Sequence, residues 1–386
     1  MYDFNGNKEW ENGFFQSIEN GDIQHIKCTI KRLDGVMLEL DENSLLDGIR
    51  YDSQCTEDEE IFNFGEMYVG SAEVKIAVSD ENINLIKGGE LRLFFRTESV
   101  KKWIPLGVWD IVTAEYESFN ILNIKAYNHL NCLNAPITSD VIGAIFIKSA
   151  LRRVSKDAGV EFSQTIEKIQ QIAGDSVDVI NGVWATHFLD TCWGEVKAIA
   201  QFLGCFVFAN REGKIEFRRF GTHSILTIPA EKRFSAKISD YQYSVKRISY
   251  TDSYGKTVPY VTDYGTCMLG FSENKYIWET QENPEISYQN VLKRIAYAVG
   301  CYSTQALSRK WLPGTIEYYG NPALDVGDMV YFSGKMSGNF LITHITWRFR
   351  GSQTLISAGV SEAVTTISGT SGNSSTGTVT SYTTIN

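Results

Sequence analysis

The sequence predicts a β-rich α+β fold in which two runs of short strands flank an insert built from helices and a hairpin. Three observations carry that expectation. Aromatic residues make up 12% of the chain, and 32 glycines stand against 7 prolines, a composition suited to strands and tight turns. Period-two alternation recurs in both halves, in Ile26, Cys28 and Ile30 and again in Leu341, Thr343, Ile345, Trp347 and Phe349. Helical spacing is confined to three stretches between them, near residues 139–156, 190–203 and 287–300.

At 386 residues the chain exceeds the roughly 250–300 residues at which single cores stop growing, so several packed units are expected. A formal net charge of −10 argues against a duplex-binding surface, and no sequence-specific nucleic-acid binding is expected. The seven cysteines form no CxxC pair and are odd in number; they read as reduced, buried thiols rather than a disulfide framework or zinc ribbon. The N-terminus lacks the basic and apolar regions of a signal peptide, and no apolar run reaches the roughly 18 residues of a membrane span. The expectation is a chain made soluble in a cytoplasm, with no integral membrane segment.

Residues 1–20 read as a polar arm, dotted with Tyr2, Phe4, Trp10, Phe14 and Phe15, that packs on a neighbour. Residues 21–134 read as a first small barrel or sandwich. Its strands carry Ile26, Cys28 and Ile30; Val36, Leu38 and Leu40 after an Asp34-Gly35 turn; Ala72, Val74 and Ile76; and Leu91, Leu93 and Phe95. Asn128 reads as the cap of a short turn. The insert, residues 135–236, opens with a helix capped by Ser139 or Asp140 and carrying Val141, Ile142, Ile145, Phe146, Ala150 and Val154. Asp190 opens a second helix, with Val196, Ile199, Ala200 and Leu203 on its apolar stripe, and a hairpin then turns at residues 210–213. Residues 237–361 form the second run of strands, with a helix near 287–300. The β-meander from Trp311 onward turns at Gly320-Asn321-Pro322 and Val326-Gly327-Asp328. Residues 362–386, mostly Ser, Thr and Gly, read as a tail.

The residue types that could carry chemistry have structural readings that fit better. His187, Asp190 and Cys192 lie close in sequence, but Asp190 is explained as a helix cap and Cys192 falls in that helix's first turn. His25, His129, His223 and His344 are scattered without metal-ligand spacing. The acidic run Glu57-Asp58-Glu59-Glu60 lacks the spaced oxygens of a calcium loop, and Asn373-Ser374-Ser375 is a chance sequon in the tail. No catalytic, cofactor-binding or metal residue is therefore assigned, and a non-enzyme is expected.

Several motifs in order resemble one family. They are Phe62-Asn-Phe-Gly65, Pro105-Leu-Gly-Val-Trp109, Ala126-Tyr-Asn-His-Leu130, the unit from Trp193 to Phe220, Glu282-Asn-Pro284, and Gly320-Asn-Pro322 with Val326-Gly-Asp328. This order resembles the tail hub or baseplate hub proteins of long-tailed phages and contractile phage-tail-like bacteriocins. Asn128 stands where that family usually has Asp. The resemblance implies two small β-barrels per chain, a homotrimeric hub, and a role in adapting a six-fold tail tube to a three-fold spike or fibre. It implies as partners the tail tube or distal tail ring protein and a central spike or fibre protein, with the chain built into a tail or tail-like particle. A glycan-binding tail-tip adhesin and a tail-associated peptidoglycan hydrolase are the alternatives.

Overall fold

Thirteen strands drawn from both ends of the chain hydrogen-bond into one sheet. The computed structural model describes residues 1–46, 49–56, 65–78, 83–138, 144–165, 168–169, 183–185, 191–203, 205–221, 223–239, 245–251, 257–261, 267–271, 311–334, 337–349 and 353–360. Helix α1 (Lys8–Glu19) precedes β1 (Gln24–Lys31), β2 (Met37–Leu40), β3 (Arg50–Gln54) and β4 (Ser71–Ala77). A single helical turn, α2 (Ile83–Ile86), leads into β5 (Glu90–Thr97), β6 (Ile104–Ser118) and β7 (Ile121–Asn128). A 3-10 segment, His129–Asn134, then gives way to β8 (Ala144–Phe146), α3 (Ile147–Ala158), β9 (Val183–Ala185) and α4 (Cys192–Leu203). The hairpin of β10 (Phe206–Ala209) and β11 (Ile215–Arg218) comes next, followed by β12 (Ser224–Ile228) and β13 (Arg233–Ile238). A separate three-stranded sheet holds β14 (Val245–Thr251), β15 (Thr257–Val261) and β16 (Cys267–Phe271). The chain returns to the large sheet as β17 (Trp311–Tyr318), β18 (Met329–Phe332), β19 (Gly338–Arg348) and β20 (Gln353–Val360).

The large sheet runs β13-β17-β20-β19-β3-β4-β7-β6-β5-β1-β2, with β18 lying between β19 and β12. Its two halves repeat each other. In the first, β5, β6 and β7 form a meander, with β1 beside β5, β4 beside β7, and β3 beside β4. In the second, β18, β19 and β20 form the meander, with β12 beside β18, β17 beside β20, and β13 beside β17. The six strands of each half therefore occur in the same spatial and the same chain order. The repeat departs at one strand: β1 runs antiparallel to β5, whereas β12 runs parallel to β18.

The correspondence extends to single hydrogen bonds. Gly88 N–H donates to the Ile111 carbonyl and Ile111 N–H to that of Gly89, both at 2.8 Å. In the second half Gly327 N–H donates to Ile342 at 2.7 Å, and Ile342 N–H to Asp328 at 2.8 Å. Each long central strand bulges just after its isoleucine, between Ile111 and Thr113 in β6 and between Ile342 and His344 in β19. A bulge adds one unopposed residue and strengthens the local twist. The uninterrupted alternation expected along 341–350 is accordingly broken at Thr343, and Ile342, placed by sequence on the outer face, is fully buried.

The two halves meet where β3 pairs antiparallel with the far end of β19, from His344 opposite Gln54 to Arg348 opposite Arg50. Tyr51 and Trp347 face each other there, with ring centroids 5.6 Å apart, and Phe95 and Trp109 close the cluster around them. After β2 the chain bonds back to β4, with Leu46 N–H donating to Lys75 and Ala77 N–H to Ser44, so the first half curls onto itself. Apolar inward faces of both halves share one core that includes Phe95, Phe332, Phe340, Ile26 and Ile30.

Several expectations are met and several are replaced. The hairpin at Asp34-Gly35, the strands carrying Ala72 to Ile76 and Leu91 to Phe95, and the hairpin at 210–213 all form. The N-terminal arm packs on its own chain. Asn7 caps α1 by accepting from Trp10 N–H at 2.9 Å, and Phe4 and Phe14 are buried in a ring cluster that reaches Phe95. Ile145 and Phe146 lie in β8, paired with β9, so the helix starts at Ile147. β12 and the first part of β13, expected inside the insert at 135–236, belong to the large sheet, where β12 pairs with β18 and β13 with β17. Ser139, Asp140, Val141, Ile142, the helix near 287–300 and the tail at 362–386 lie outside the described residues.

Candidate functional site

The Gly320-Asn321-Pro322 and Val326-Gly327-Asp328 turns that the sequence singled out converge on the β10-β11 hairpin. Arg211, at the hairpin tip, donates to Asp325 at 2.8 Å and to the carbonyls of Pro105, Pro322 and Leu324 at 3.0, 2.8 and 3.2 Å. Arg218, on β11, donates to Asp328 at 2.6 Å and lies 3.5 Å from Asp325. Asp328 also accepts from Asp325 N–H at 2.8 Å. Burial alone would raise the Asp325 carboxyl, but Arg211, the Met1 ammonium at 3.3 Å and Arg218 outweigh it and hold the group well below the usual carboxylate range. One guanidinium thus ties together three chain segments far apart in sequence: β6 through Pro105, the hairpin, and the loop before β18. Bidentate, planar donors are suited to such junctions.

A second polar centre sits on the seam between the halves. Asp52, on β3, accepts from Thr346 Oγ1 at 2.6 Å and faces His344 Nε2 at 3.5 Å, with Arg50 Nε at 3.0 Å. Burial opposes ionisation of Asp52, yet hydrogen bonds from His344, Thr346 and Arg50 bring it down to about 2. The insert is held in a similar way. His129 Nδ1–H donates to the Gly213 carbonyl at 2.5 Å, and Asp110, 3.4 Å from Nε2, raises the imidazole above its ordinary value. Arg153 on α3 pairs at 2.8 Å with the buried Glu195 on α4.

These contacts account for the residues weighed as chemistry. Cys192 is buried at the start of α4, and burial pushes its thiol up to about 11, so it remains protonated at neutral pH. The N-terminal cap of α4 is supplied by Thr191 Oγ1, which accepts from Gly194 N–H at 3.2 Å. His187, Asp190, Glu57 to Glu60 and Asn373 lie outside the described residues. Asn128 does cap the 3-10 segment, accepting from Leu130 N–H at 3.2 Å. His25 lies between Glu42 and Glu98, at 2.9 and 2.7 Å, and His223 is exposed. Among the described residues no group of three or more His, Cys, Asp or Glu side chains is arranged to hold a metal ion. An open groove of about 380 Å³ runs between α1 and the second half, lined by Phe15, Ile18, Leu226, Ile228, Tyr318 and Tyr319. No helix among the described residues is long and apolar enough to cross a membrane.

Large hydrophobic side chains are exposed singly at several places. Phe119, between β6 and β7, is 88% exposed and Phe234 on β13 is 64% exposed, while the ion clusters lie inside. No family model matches the chain, and no curated protein matches it in sequence. Among solved structures it is similar to the prophage tail protein gp18 from Listeria monocytogenes, at 11% identity and a TM-score of 0.50, covering 86% of this chain and 94% of that one. It is also similar to the 43 kDa tail protein of prophage MuSo2 from Shewanella oneidensis (10% identity, TM-score 0.49, 86% and 96% covered). A tail protein from Neisseria meningitidis gives 10% identity and a TM-score of 0.48, with 86% and 96% covered. The chain has the fold of that Listeria prophage tail protein.

Proposed function

We propose that the protein is a structural component of a phage tail or tail-like particle, a hub of three identical chains that joins a six-fold tail tube to a three-fold spike or fibre. The observation that supports this most directly is the internal repeat. Two like sheet units per chain give six like units per trimer, which is the number a six-fold tube or distal tail ring requires. On this reading each half is a small barrel, and the differences between the halves present a true three-fold surface to the central spike or fibre. The buried ion cluster at Arg211 fixes the insert against the second unit, so that the chain docks as a rigid body.

The test is the mass of the purified full chain in solution by native mass spectrometry, together with imaging after mixing with tube protein. A species of three times 43.4 kDa that caps tube ends is expected. A chain that stays monomeric at all accessible concentrations, with and without tube protein, would overturn the reading.

A further inference from the structure

The two halves are closed differently. In the first, β2 lies beside β1, with Leu38 opposite Ile30 and Leu40 opposite Cys28. The chain then runs on to β4, where Leu45 bridges to Ile76 and Leu46 N–H donates to the Lys75 carbonyl. The equivalent positions in the second half follow by counting along the ladders from the paired bulges. Lys125 stands where Ile356 stands, so Glu73 matches Thr315 and Ile76 matches Tyr318. On the other side Leu91 matches Val330 and Leu93 matches Phe332, which puts Leu226 in the place of Ile30 and Ile228 in the place of Cys28. Among the described residues β12 pairs with β18 alone. Where β2 and its continuation run in the first half, the second half has the open groove of about 380 Å³, with Leu226, Ile228 and Tyr318 on the sheet side and Phe15 and Ile18 of α1 opposite. The difference is visible in burial: Ile30 is fully buried, whereas Leu226 is only half-buried.

We propose that the end of this chain's own tail, residues 378–385, enters the groove as a strand added along β12, closing the second half as β2 closes the first. An added strand gains main-chain hydrogen bonds from the edge it joins and fills the groove with alternate side chains. Residues 378–385 consist of Thr, Ser, Val, Tyr and Ile, types that favour strands. A period of two sets Val379, Ser381, Thr383 and Ile385 on one face. Two apolar anchors with small hydroxyl residues between them suit a groove that Phe15 and Ile18 already fill in part.

Charge and reach both favour this occupant. The groove carries Glu19 and Glu231 on its lining, and Lys232, its one cation, donates to the Glu19 carbonyl. A second copy of the first half's closing segment, with Glu39, Asp41 and Glu42, would set carboxylates against carboxylates there. The tail avoids that conflict, since no residue after Glu362 is charged. Val360, the end of β20, lies opposite Asn339, Asn339 opposite Tyr331, and Tyr331 opposite Thr227. The tail therefore leaves the sheet three strands from β12, a distance of about 15 Å. Residues 361–377, at about 3.3 Å each, span it with length to spare. The proposal concerns a single chain and does not rest on the hub reading.

Hydrogen exchange of the full-length chain reads the pairing directly. Amides of 378–385 are expected to exchange at least about tenfold more slowly than in an unstructured chain, to the same extent at every protein concentration. Val379→Asp with Ile385→Asp in the same chain is expected to abolish that protection and to speed exchange in β12, while β1 and β2 stay unchanged. Both substitutions lie outside the core, so the variant keeps its fold. A tail that exchanges at unstructured rates in the unmodified chain overturns the proposal. Protection that appears only as concentration rises also overturns it and assigns the strand to a second copy. Protection that survives the double substitution, or that is lost with no change in β12, places the tail elsewhere and overturns it as well.

Discussion

The turns that enter the two central strands make the same backbone bonds with different side chains. In the first half two residues without side chains, Gly88 and Gly89, bond to Ile111; in the second Gly327 and Asp328 bond to Ile342, and Asp328 anchors the ion cluster of Arg218 and Asp325. The difference shows that the repeat is carried by ladder geometry, and that the second half has taken on the added task of holding the insert. Its stability should therefore depend on residues that the first half does without.

Removing Arg211 is the most severe way to test that dependence. Arg211→Ala leaves the partly buried Asp325 carboxylate with Arg218 and the Met1 ammonium but without its main partner, and a loss of about 2–3 kcal/mol is expected in denaturant unfolding. Hydrogen exchange should show β18 and β19 losing protection before β5 and β6; equal loss in both halves would break the comparison. A paired glycine test sharpens it. Gly88 and Gly327 both have positive φ, +84° and +80°, so alanine strains either turn. At Gly88 the added methyl meets only the Leu33 side chain at 3.6 Å, whereas at Gly327 it collides with the Phe206 ring of the insert hairpin. Gly327→Ala is expected to cost about 1–3 kcal/mol more than Gly88→Ala.

The seam gives a smaller, pH-dependent effect. Asp52 titrates at about 2 in the folded chain against an ordinary value near 4, so its contribution is present above about pH 4 and disappears as pH falls through 2. Asp52→Asn should remove about 1.5 kcal/mol at neutral pH and flatten the acid limb of the stability curve. The smallest effect belongs to His129, whose folded value is raised by the Asp110 hydrogen bond. Its contribution is complete below the ordinary histidine value near 6.5 and is lost as pH rises through the folded value. Asp110→Asn should return the imidazole toward 6.5 in an NMR titration, with a change in stability of at most about 1 kcal/mol.

What the sequence made legible was local. The strand alternations, the Asp34-Gly35 hairpin, the Asn128 cap and the stripe of Val196, Ile199, Ala200 and Leu203 are short-range patterns, and the folded chain uses each of them. The helix within the N-terminal arm was missed because its buried face holds only Phe14, Ser17 and Ile18 among polar neighbours; Asn7 with Glu9 and Glu11 in the first turn was the available signal. Ile145 and Phe146 were read as helical because the segment that pairs with them, β9, comes after a long intervening stretch. The seam was hidden for the same reason, since Asp52 and Thr346 are 294 residues apart. The repeat was hidden because equivalent positions such as Trp109 and Phe340, or Tyr116 and Trp347, agree in role and seldom in identity.

The bulges after Ile111 and Ile342 have a consequence for divergence. One holds Val112 and the other Thr343, so a single unopposed amino acid of either kind bends the long strand at the same step, and in β19 the far end then takes β3 as its neighbour. Because spacing along the backbone sets that bend, wholesale replacement of side chains elsewhere can leave the course of the strand intact, and only a lost or gained residue at that step would erase it.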